Sequence, residues 1–479
     1  MTDDQDVHLN SLDFQPSVQK HFIQQGTWLQ KHFCTVSLCC PSRVSLLTGQ
    51  AAHNTNVTDV ALPYVLIDPG TCVYNNASMV LDNGVWAFHP GAYSTDLVAN
   101  RSVEFLGDAI EARKPFFLGV APIAPHAETV GDAFEAPVPA KRHENLFPDV
   151  KVPRWPSFNA RAAGAVSYFR NLPQLAHDQI DYMDTFYRRR LQSLQAVDDL
   201  IEAIMAKLES HADMLANTYL FYTSDNGYHI GQHRLPPGKT CGIEEDVNVP
   251  FIARGPGIPV GHVGRFPTSH TDLVPTIFEL AGIPQREEFD GEPMPLKENR
   301  QGRTSTKSEH INIEFWGAGI VEGTAFENLS KDALDRYTYK TLRVDTEDYA
   351  FMYTVWCTNE HELYNMKLDP FQMNNLYGSN STTSSFEISQ LSARLDTLLL
   401  TLKACKGIVC RRPWQTLFPT GNVSSLMDAM DPSYDDFFLL SQPRVAFTMC
   451  SLGYIAEAEG PLSPVIFGAV DETTIEPRK

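Results

Sequence analysis

The sequence lacks a hydrophobic run long enough to cross a membrane, and it has few basic side chains for its length. Its best apolar run, residues 115–125, falls well short of the roughly 20 residues that a membrane-spanning helix needs. Residues 1–6 are acidic, whereas a secretory signal begins with basic and then apolar residues. Lys and Arg number 38 against 58 Asp and Glu, and the net charge of −20 repels nucleic acid and other polyanions. We therefore expect neither a membrane nor a nucleic acid as a partner.

The composition is typical of a globular chain with two domains. Of the 479 residues, 43% are hydrophobic and 20% are charged, which is enough apolar material for a large buried core. Residues 284–308 are polar and highly charged, as linkers between domains often are. We place the domain boundary there, so that residues 1–300 form the larger domain and residues 301–479 the smaller one.

Several features are typical of exported proteins. Cys405 and Cys410 are spaced to close a small disulfide loop, although two free thiols are an equal alternative. Asn-x-Ser/Thr sequons, which accept N-linked glycans in the secretory pathway, recur along the chain. We expect a secretory or extracellular protein whose leader is not part of this sequence. The six sequons begin at Asn56, Asn76, Asn100, Asn328, Asn380 and Asn422.

Strand and helix patterns alternate along the first three hundred residues. Short apolar runs at residues 116–121, 218–223 and 249–254 predict buried strands, each followed by turn residues. Residues 184–208 and 270–281 carry apolar side chains at helical spacing. The alternation predicts an α/β fold with a mostly parallel sheet flanked by helices. The smaller α+β domain is predicted from strands at 338–344 and 349–355 and a helix at 388–403.

The most specific motif is the string at residues 39–49, Cys-Cys-Pro-Ser-Arg-Val-Ser-Leu-Leu-Thr-Gly. Pro41 suits the first turn of a helix and Gly49 suits its end, which places Cys39 at a helix N-terminus. The helix dipole and free N–H groups there favour an anion such as a thiolate or a bound sulfate. Arg43 follows one turn later, where its guanidinium can stabilise an oxyanion. The alternative is an ordinary buried helix start with an incidental arginine.

This string resembles the signature of type I sulfatases, Cys-x-Pro-Ser-Arg followed by three residues and Leu-Thr-Gly, and matches it at every position. The resemblance is closest to secreted eukaryotic arylsulfatases of the fungal kind, and it implies an alkaline-phosphatase-like α/β fold. It further implies that a formylglycine-generating enzyme oxidises Cys39 to formylglycine. The hydrated aldehyde of that residue would attack sulfur, and its second hydroxyl would later expel sulfate.

Two acidic segments resemble the metal motifs of the same family. Asp3 and Asp4 match the first motif, and Asp225 and Asn226 match the second. Carboxylate and amide oxygens form a hard site that suits Ca²⁺ or Mg²⁺, and the family typically uses calcium. The alternative is an acidic N-terminus and an ordinary Asp-Asn-Gly turn. We predict one Ca²⁺ held by Asp3, Asp4, Asp225 and Asn226, with the formylglycine oxygen at Cys39 as a further ligand.

Three more residues resemble family residues that surround the sulfate group. Lys239 matches a lysine that contacts the sulfate ester and the leaving oxygen, and its alternative role is a solvated loop lysine. His126 matches a histidine that binds sulfate and assists the leaving group, as a general acid does. A structural role is the alternative for His126, and for His229 we expect a place behind the residues that touch the substrate.

Two segments that the family carries are missing. The sequence has no hydrophobic strand before Asp3, and residues 59–114 contain no Gly-Lys with a nearby His; the only lysine there is Lys114. We therefore expect a chain that is truncated at its N-terminus and internally deleted. Losing the first strand would leave the edges of the neighbouring strands unpaired.

The resemblance as a whole predicts a sulfatase that hydrolyses a sulfate monoester of an aryl or other small alcohol. In this prediction Cys39, Arg43, His126 and Lys239 are the catalytic residues. One alternative is a phosphate or phosphonate ester hydrolase of the same superfamily, because the oxyanion sites are alike. The other is a catalytically impaired pseudoenzyme, because the lysine and histidine of the missing segment would bind and release sulfate.

Overall fold

The computed structural model describes residues 1–59, 73–80, 85–130, 133–161, 166–297, 308–326 and 337–468. The strands are β1 Thr27–Leu29, β2 His32–Phe33, β3 Asn75–Val80, β4 Trp86–Tyr93, β5 Glu128–Val130, β6 Ala133–Glu135, β7 Leu220–Thr223, β8 Phe251–Arg254, β9 His262–Gly264, β10 Thr268–Ser269, β11 His310–Phe315, β12 Tyr339–Asp345, β13 Ala350–Trp356, β14 His361–Asn365, β15 Thr382–Thr383 and β16 Phe386–Glu387. The α-helices are α1 Pro16–Val18, α2 Cys39–Thr48, α3 Ala52–Thr55, α4 Ser94–Ala112, α5 Ser167–Arg170, α6 His177–Glu209, α7 Ala212–Leu215, α8 Glu244–Val247, α9 Leu273–Leu280, α10 Ile388–Leu402, α11 Ile408–Arg411, α12 Pro413–Leu417 and α13 Leu426–Ala429.

The larger sheet has the strand order β7-β8-β1-β9. Strand β8 pairs antiparallel with both β7 and β1, whereas β1 and β9 run parallel. A parallel bridge between Thr2 and Ser224 extends the sheet at the end of β7. The predicted α/β class is confirmed, and the pairing within the sheet is mixed, with antiparallel pairs around β8 where we expected mostly parallel strands. Beyond the end of β7, the parallel pairing among the described residues is the single bridge at Thr2.

The long helix α6 covers one face of this sheet. Its buried side includes Leu194, Val197, Leu200 and Ile201, which recur at helical spacing and pack with Tyr222 of β7. The 33-residue helix extends beyond the predicted bounds at both ends, but its apolar face is the one that the periodicity predicted. No helix among the described residues is both long enough and apolar enough to span a bilayer.

The smaller sheet is antiparallel, with the order β11-β12-β13-β14. Every residue of β12 and β13 is buried, because the sheet is covered on both faces. One face packs on α10, and the other packs on aromatic residues such as Phe33 and Tyr168. Disulfides join Cys357 to Cys450 and Cys405 to Cys410, so the small disulfide loop is present. The predicted division after residue 300 lies outside the described residues, which include residues 284–297 and 308 of the predicted linker.

Residues 116–121 were predicted as a buried strand, and this prediction was wrong. Phe117 is 71% exposed, and residues 116–119 make no backbone hydrogen bond to any described residue. A groove of about 1880 Å³ separates this segment from β7. Within the described residues, the edge of β7 that faces this segment is paired only at its end, by Thr2. Apolar side chains from both faces of the sheet line the groove, among them Leu106, Leu200, Ile204, Leu273 and Ile277.

The groove is one strand wide at its inner end. There the Met1 ammonium donates to the Val120 carbonyl at 2.9 Å, and the Thr2 N–H donates to the Thr223 carbonyl at 2.9 Å. Met1 and Thr2 therefore bridge the two edges that lie apart elsewhere. Burial lowers the pKa of the Met1 amine to about 6, because the charged form is poorly solvated there.

We expect an apolar segment of about five residues, fused ahead of Met1, to raise the melting temperature. It would pair with β7 and with residues 116–121, and each side chain that it buries fully would contribute about 1.5–3 kcal/mol. Differential scanning calorimetry measures the change, with a Gly/Ser extension of equal length as the control. Equal melting temperatures for the two extensions would show that the groove does not accept a strand.

Candidate active site

Helix α2 places Cys39 and Arg43 on the same side of the sheet end. The helix starts at Cys39 and ends before Gly49, whose φ of 71° lies in the left-handed region that favours glycine. The Ser42 hydroxyl donates to the carbonyl of Asp225 and contacts His270 at 2.9 Å. The first turn of α2 is therefore attached directly to the loop that follows β7.

The two acidic segments meet at the same place. The Asp4 N–H donates to Asp225 Oδ1 at 3.0 Å, and Asn226 Nδ2 donates to Asp4 Oδ1 at 2.7 Å. This contact follows from the bridge between Thr2 and Ser224, which sets residues 3–4 beside residues 225–226. Segments more than two hundred residues apart in sequence thus form one acidic cluster.

Cys39 lies at the edge of this cluster. Its Sγ is 3.8 Å from Asp3 Oδ1 and 3.9 Å from Asp4 Oδ1. The side chain of His126 joins them, with Nε2 3.6 Å from Asp4 Oδ2. One potential ligand atom from each of Asp3, Asp4, Cys39 and His126 lies within 4.8 Å of the others. The structure therefore brings together all five residues predicted for the metal site, and His126 with them.

The oxygen atoms of this cluster are suitable ligands for a hard divalent cation. The carboxylates are largely removed from water, and buried like charges at this distance repel one another unless a cation lies between them. Asn226 Oδ1 is buried and has no hydrogen-bond partner among the described residues, so a residue that contacts Asp4 keeps one acceptor unused. Carboxylate and amide oxygens are the ligands that Ca²⁺ and Mg²⁺ prefer.

Three basic side chains surround the acidic cluster. Arg43 forms ion pairs with Asp3 at 2.7 Å and with Asp225 at 2.6 Å. Lys239 Nζ lies 2.7 Å from each oxygen of Asp4. His126, the third, is held by a hydrogen bond of 2.6 Å from its Nδ1 to the carbonyl of residue 127. The predicted oxyanion-binding residues thus converge on the same space as the predicted metal ligands.

Burial and charge set the protonation of the cluster. Burial raises the pKa of Asp3 to about 6, although Arg43 opposes this shift. Burial also acts to raise the pKa of Asp4, yet Lys239 and His126 outweigh it and lower that pKa to about 2. Burial raises the pKa of Cys39 to about 12, with Lys239 opposing. Because the thiolate is the nucleophilic form of cysteine, an unmodified Cys39 is a poor nucleophile at neutral pH.

Three buried residues behind the cluster were missed by the sequence analysis. Arg190 donates from Nη1 to the Pro125 carbonyl at 3.1 Å and from Nη2 to the carbonyl of Asp4 at 2.5 Å. Its guanidinium lies 3.8 Å from the ring centroid of Tyr228, and the Tyr228 hydroxyl donates to Glu322. A basic residue on a helix and an isolated glutamate give no local signal, so only the folded chain identifies them.

His229 lies next to the loop that carries Lys239. Its Nδ1 is 2.7 Å from Asp246, and its backbone pairs with Gly238 next to the lysine. The sequence analysis found no Gly-Lys with a nearby His in residues 59–114. Within that range, residues 60–72 and 81–84 lie outside the described residues.

A family profile and several curated proteins that match this chain are all described as sulfatases. The family profile described as Sulfatase matches residues 64–283, a range that includes His126, Asp225 and Lys239. Sulfatase ppz1 of Metarhizium majus (strain ARSEF 297) is 75% identical over 482 residues, and the alignment covers 100% of both chains. An arylsulfatase of Volvox carteri is 34% identical, over 91% of this chain and 79% of that protein. An N-acetylglucosamine-6-sulfatase of Bos taurus is 26% identical, over 86% and 83%.

Solved structures share the fold at low sequence identity. BT4656 in complex with its substrate D-glucosamine-2-N,6-O-disulfate has a TM-score of 0.66 at 19% identity, over 79% of this chain and 92% of that chain. A phosphonate monoester hydrolase of Agrobacterium radiobacter has a TM-score of 0.56 at 17% identity, over 78% and 90%. At these identities the likeness extends to the fold alone.

Proposed function

We propose that this chain, which belongs to the sulfatase family and hydrolyses sulfate esters, works through a formylglycine at Cys39 beside one Ca²⁺. Sulfatases generally use a metal ion and formylglycine. The observation that carries the proposal is the position of Cys39 Sγ, which is within 4 Å of both Asp3 and Asp4. We infer that a formylglycine-generating enzyme acts on this chain. A formylglycine at residue 39 would supply, once hydrated, a geminal diol with one hydroxyl for attack on sulfur and a second for the release of sulfate.

The residues that would hold Ca²⁺ are Asp3, Asp4, Asp225 and Asn226, with an oxygen at position 39. A cation held there would supply positive charge to polarise a sulfate oxygen and to favour deprotonation of the nucleophile. Asn226 Oδ1, the buried acceptor without a partner, supports this ligand set. Arg43 stabilises the positions of two of these ligands, because its guanidinium forms ion pairs with both Asp3 and Asp225.

Arg43 and Lys239 are placed to bind the sulfate group. Both are held at the cluster by carboxylates, so their positive charges are preorganised and need little rearrangement as charge develops in the transition state. His126 holds a proton for the leaving oxygen. Its Nδ1 donates to a backbone carbonyl, which orients the ring so that Nε2 faces the cluster. We assign it as the general acid.

The proposed substrate is a small sulfate monoester, with an aryl sulfate as the first compound to test. The arylsulfatase of Volvox carteri supports this choice. The net charge of −20 adds support, because it disfavours long sulfated polysaccharides.

We expect the wild-type enzyme to hydrolyse an aryl sulfate faster than the aryl phosphate of the same phenol. Matched rates on the two esters, measured with added Ca²⁺ on protein whose modification has been verified, make the test. A higher rate on the phosphate or on a phosphonate would favour the superfamily alternative. No turnover of either ester by fully modified protein would identify a pseudoenzyme.

The secretory pathway is the proposed location. The asparagine of every sequon within the described residues is exposed, and the sixth, Asn328, lies outside them. Both disulfides also suit an oxidising compartment. The exposed asparagines are Asn56, Asn76, Asn100, Asn380 and Asn422.

We retain the two-domain division at residue 300 as a proposal.

A further inference from the structure

Glu322 is a fully buried carboxylate that lies close to Lys239, the lysine that also contacts Asp4. Its exposed fraction is 0%, and its Oε1 lies 3.6 Å from Lys239 Nζ. Lys239 Nζ is 2.7 Å from the oxygens of Asp4. The ammonium therefore has two carboxylates within 4 Å, of which only Asp4 belongs to the proposed metal site.

The segment that carries Glu322 is fastened to the loop that carries Lys239. The Glu322 N–H donates to the Pro237 carbonyl at 2.8 Å, and the Ile320 N–H donates to Thr240 Oγ1 at 3.4 Å. Gly238 lies between these contacts, and a Cβ there would be 2.6 Å from the Ile320 carbonyl oxygen. The two backbones thus meet so closely that the distance from Glu322 to Lys239 is set by main-chain contacts.

Tyr228 fixes the direction of the Glu322 carboxylate. Its hydroxyl donates to Glu322 Oε2 at 2.5 Å, while Oε1 makes no hydrogen bond within the described part of the chain. The Tyr228 ring lies against the Arg190 guanidinium, and Arg190 also donates to the carbonyl of Asp4. One oxygen of Glu322 is therefore anchored, and the other is left facing Lys239.

We propose that Glu322 is a positioning residue that holds the Lys239 ammonium where it meets the sulfate group. The inference rests on the proposed function, in which Asp4 shares its carboxylate with the metal. Glu322 is then the carboxylate that stays available to Lys239, whose side chain is 2% exposed and cannot rely on water. Without Glu322, only Asp4 would attract the Lys239 ammonium, and the flexible side chain would move away from the position where it contacts the sulfate group.

Glu322→Gln tests the proposal by the sign of its effect on sulfate binding. Removing a negative charge near an anion site should by itself tighten the binding of inorganic sulfate. A displaced Lys239 should weaken it instead, and we expect the Kd for sulfate to rise about 10-fold, in line with the 10- to 100-fold effects of residues that orient ligands in metal sites. Isothermal titration calorimetry with the Ca²⁺-loaded protein measures this without any turnover.

Two further variants complete the test. Tyr228→Phe removes only the hydrogen bond that orients Glu322, so we expect a smaller rise in the same Kd; it also decides the question if Glu322→Gln does not fold. Glu362→Gln is the matched control, since Glu362 is 4% exposed but bonds to Trp356 and Tyr364 in the smaller sheet. We expect it to leave sulfate binding unchanged.

An unchanged or lower Kd for sulfate in Glu322→Gln, or in Tyr228→Phe if only that variant folds, would overturn the positioning role. Failure of the proposed function is a separate result, namely a wild-type protein that binds sulfate but hydrolyses no sulfate ester. If the positioning role holds, kcat/KM for the ester falls together with sulfate affinity in Glu322→Gln.

Discussion

Cys39→Ala abolishes hydrolysis of sulfate esters, with kcat expected to fall on the order of 10⁴-fold or more, as when other enzymes lose a covalent nucleophile. Without the side chain there is no aldehyde to hydrate and therefore no hydroxyl to attack sulfur. The remaining charges, Arg43 and Lys239, can still bind sulfate but cannot replace the missing bond-forming group. Steady-state rates on an aryl sulfate measure the loss.

The neighbouring cysteine provides a matched control for this variant. Cys40 is the next residue of the same helix turn and is also partly buried, but it lies outside the acidic cluster. We expect Cys40→Ala to retain most of the activity, with a melting temperature close to that of Cys39→Ala. Comparable losses in both variants would mean that the helix start is sensitive to any change and that Cys39 has no special role.

Asp4→Asn is expected to lose both activity and stability. Asp4 is a proposed metal ligand, and it is also the partner of a lysine that is 2% exposed. An amide in its place leaves that ammonium without its closest counter-charge, and breaking a buried ion pair from one side typically costs about 3–5 kcal/mol. Because Asp4 would bind the metal and also holds the Lys239 ammonium, its replacement should lower kcat by about 10²- to 10³-fold.

Thermal unfolding with and without added Ca²⁺ separates the two effects. We expect Ca²⁺ to raise the melting temperature of the wild type and to have little effect on Asp4→Asn, because ligand binding stabilises only the state that binds. Asp13→Asn is the control, since Asp13 is exposed and lies in the same N-terminal segment. A full Ca²⁺ response in Asp4→Asn would place the ion elsewhere.

Local patterns in the sequence were enough to predict several elements, including the helix that starts at Cys39. The apolar repeat of α6 and the runs that became β12 and β13 reflect neighbours within one element, so their burial could be inferred. The string at residues 39–49 is also local, and it predicted a helix starting at Cys39 and ending at Gly49.

Pairing between distant segments could not be predicted in the same way. Residues 116–121 have the apolar pattern of a buried strand, but a strand also needs a partner for its backbone, and a groove lies where that partner would be. Glu322 shows the same limit at the site. Its contact with Lys239 arises because a loop after β11 packs on the lysine loop, and nothing in the residues around Glu322 indicates this.

Tandem mass spectrometry of the peptide that contains residue 39 tests the central claim most directly. The protein should come from a host that contains the formylglycine-generating enzyme, so that the modification has an opportunity to form. We predict an aldehyde or its hydrate in place of the Cys39 thiol, with Cys40 left as an unmodified thiol in the same peptide. An active enzyme that carries only the unmodified thiol at position 39 would contradict the account.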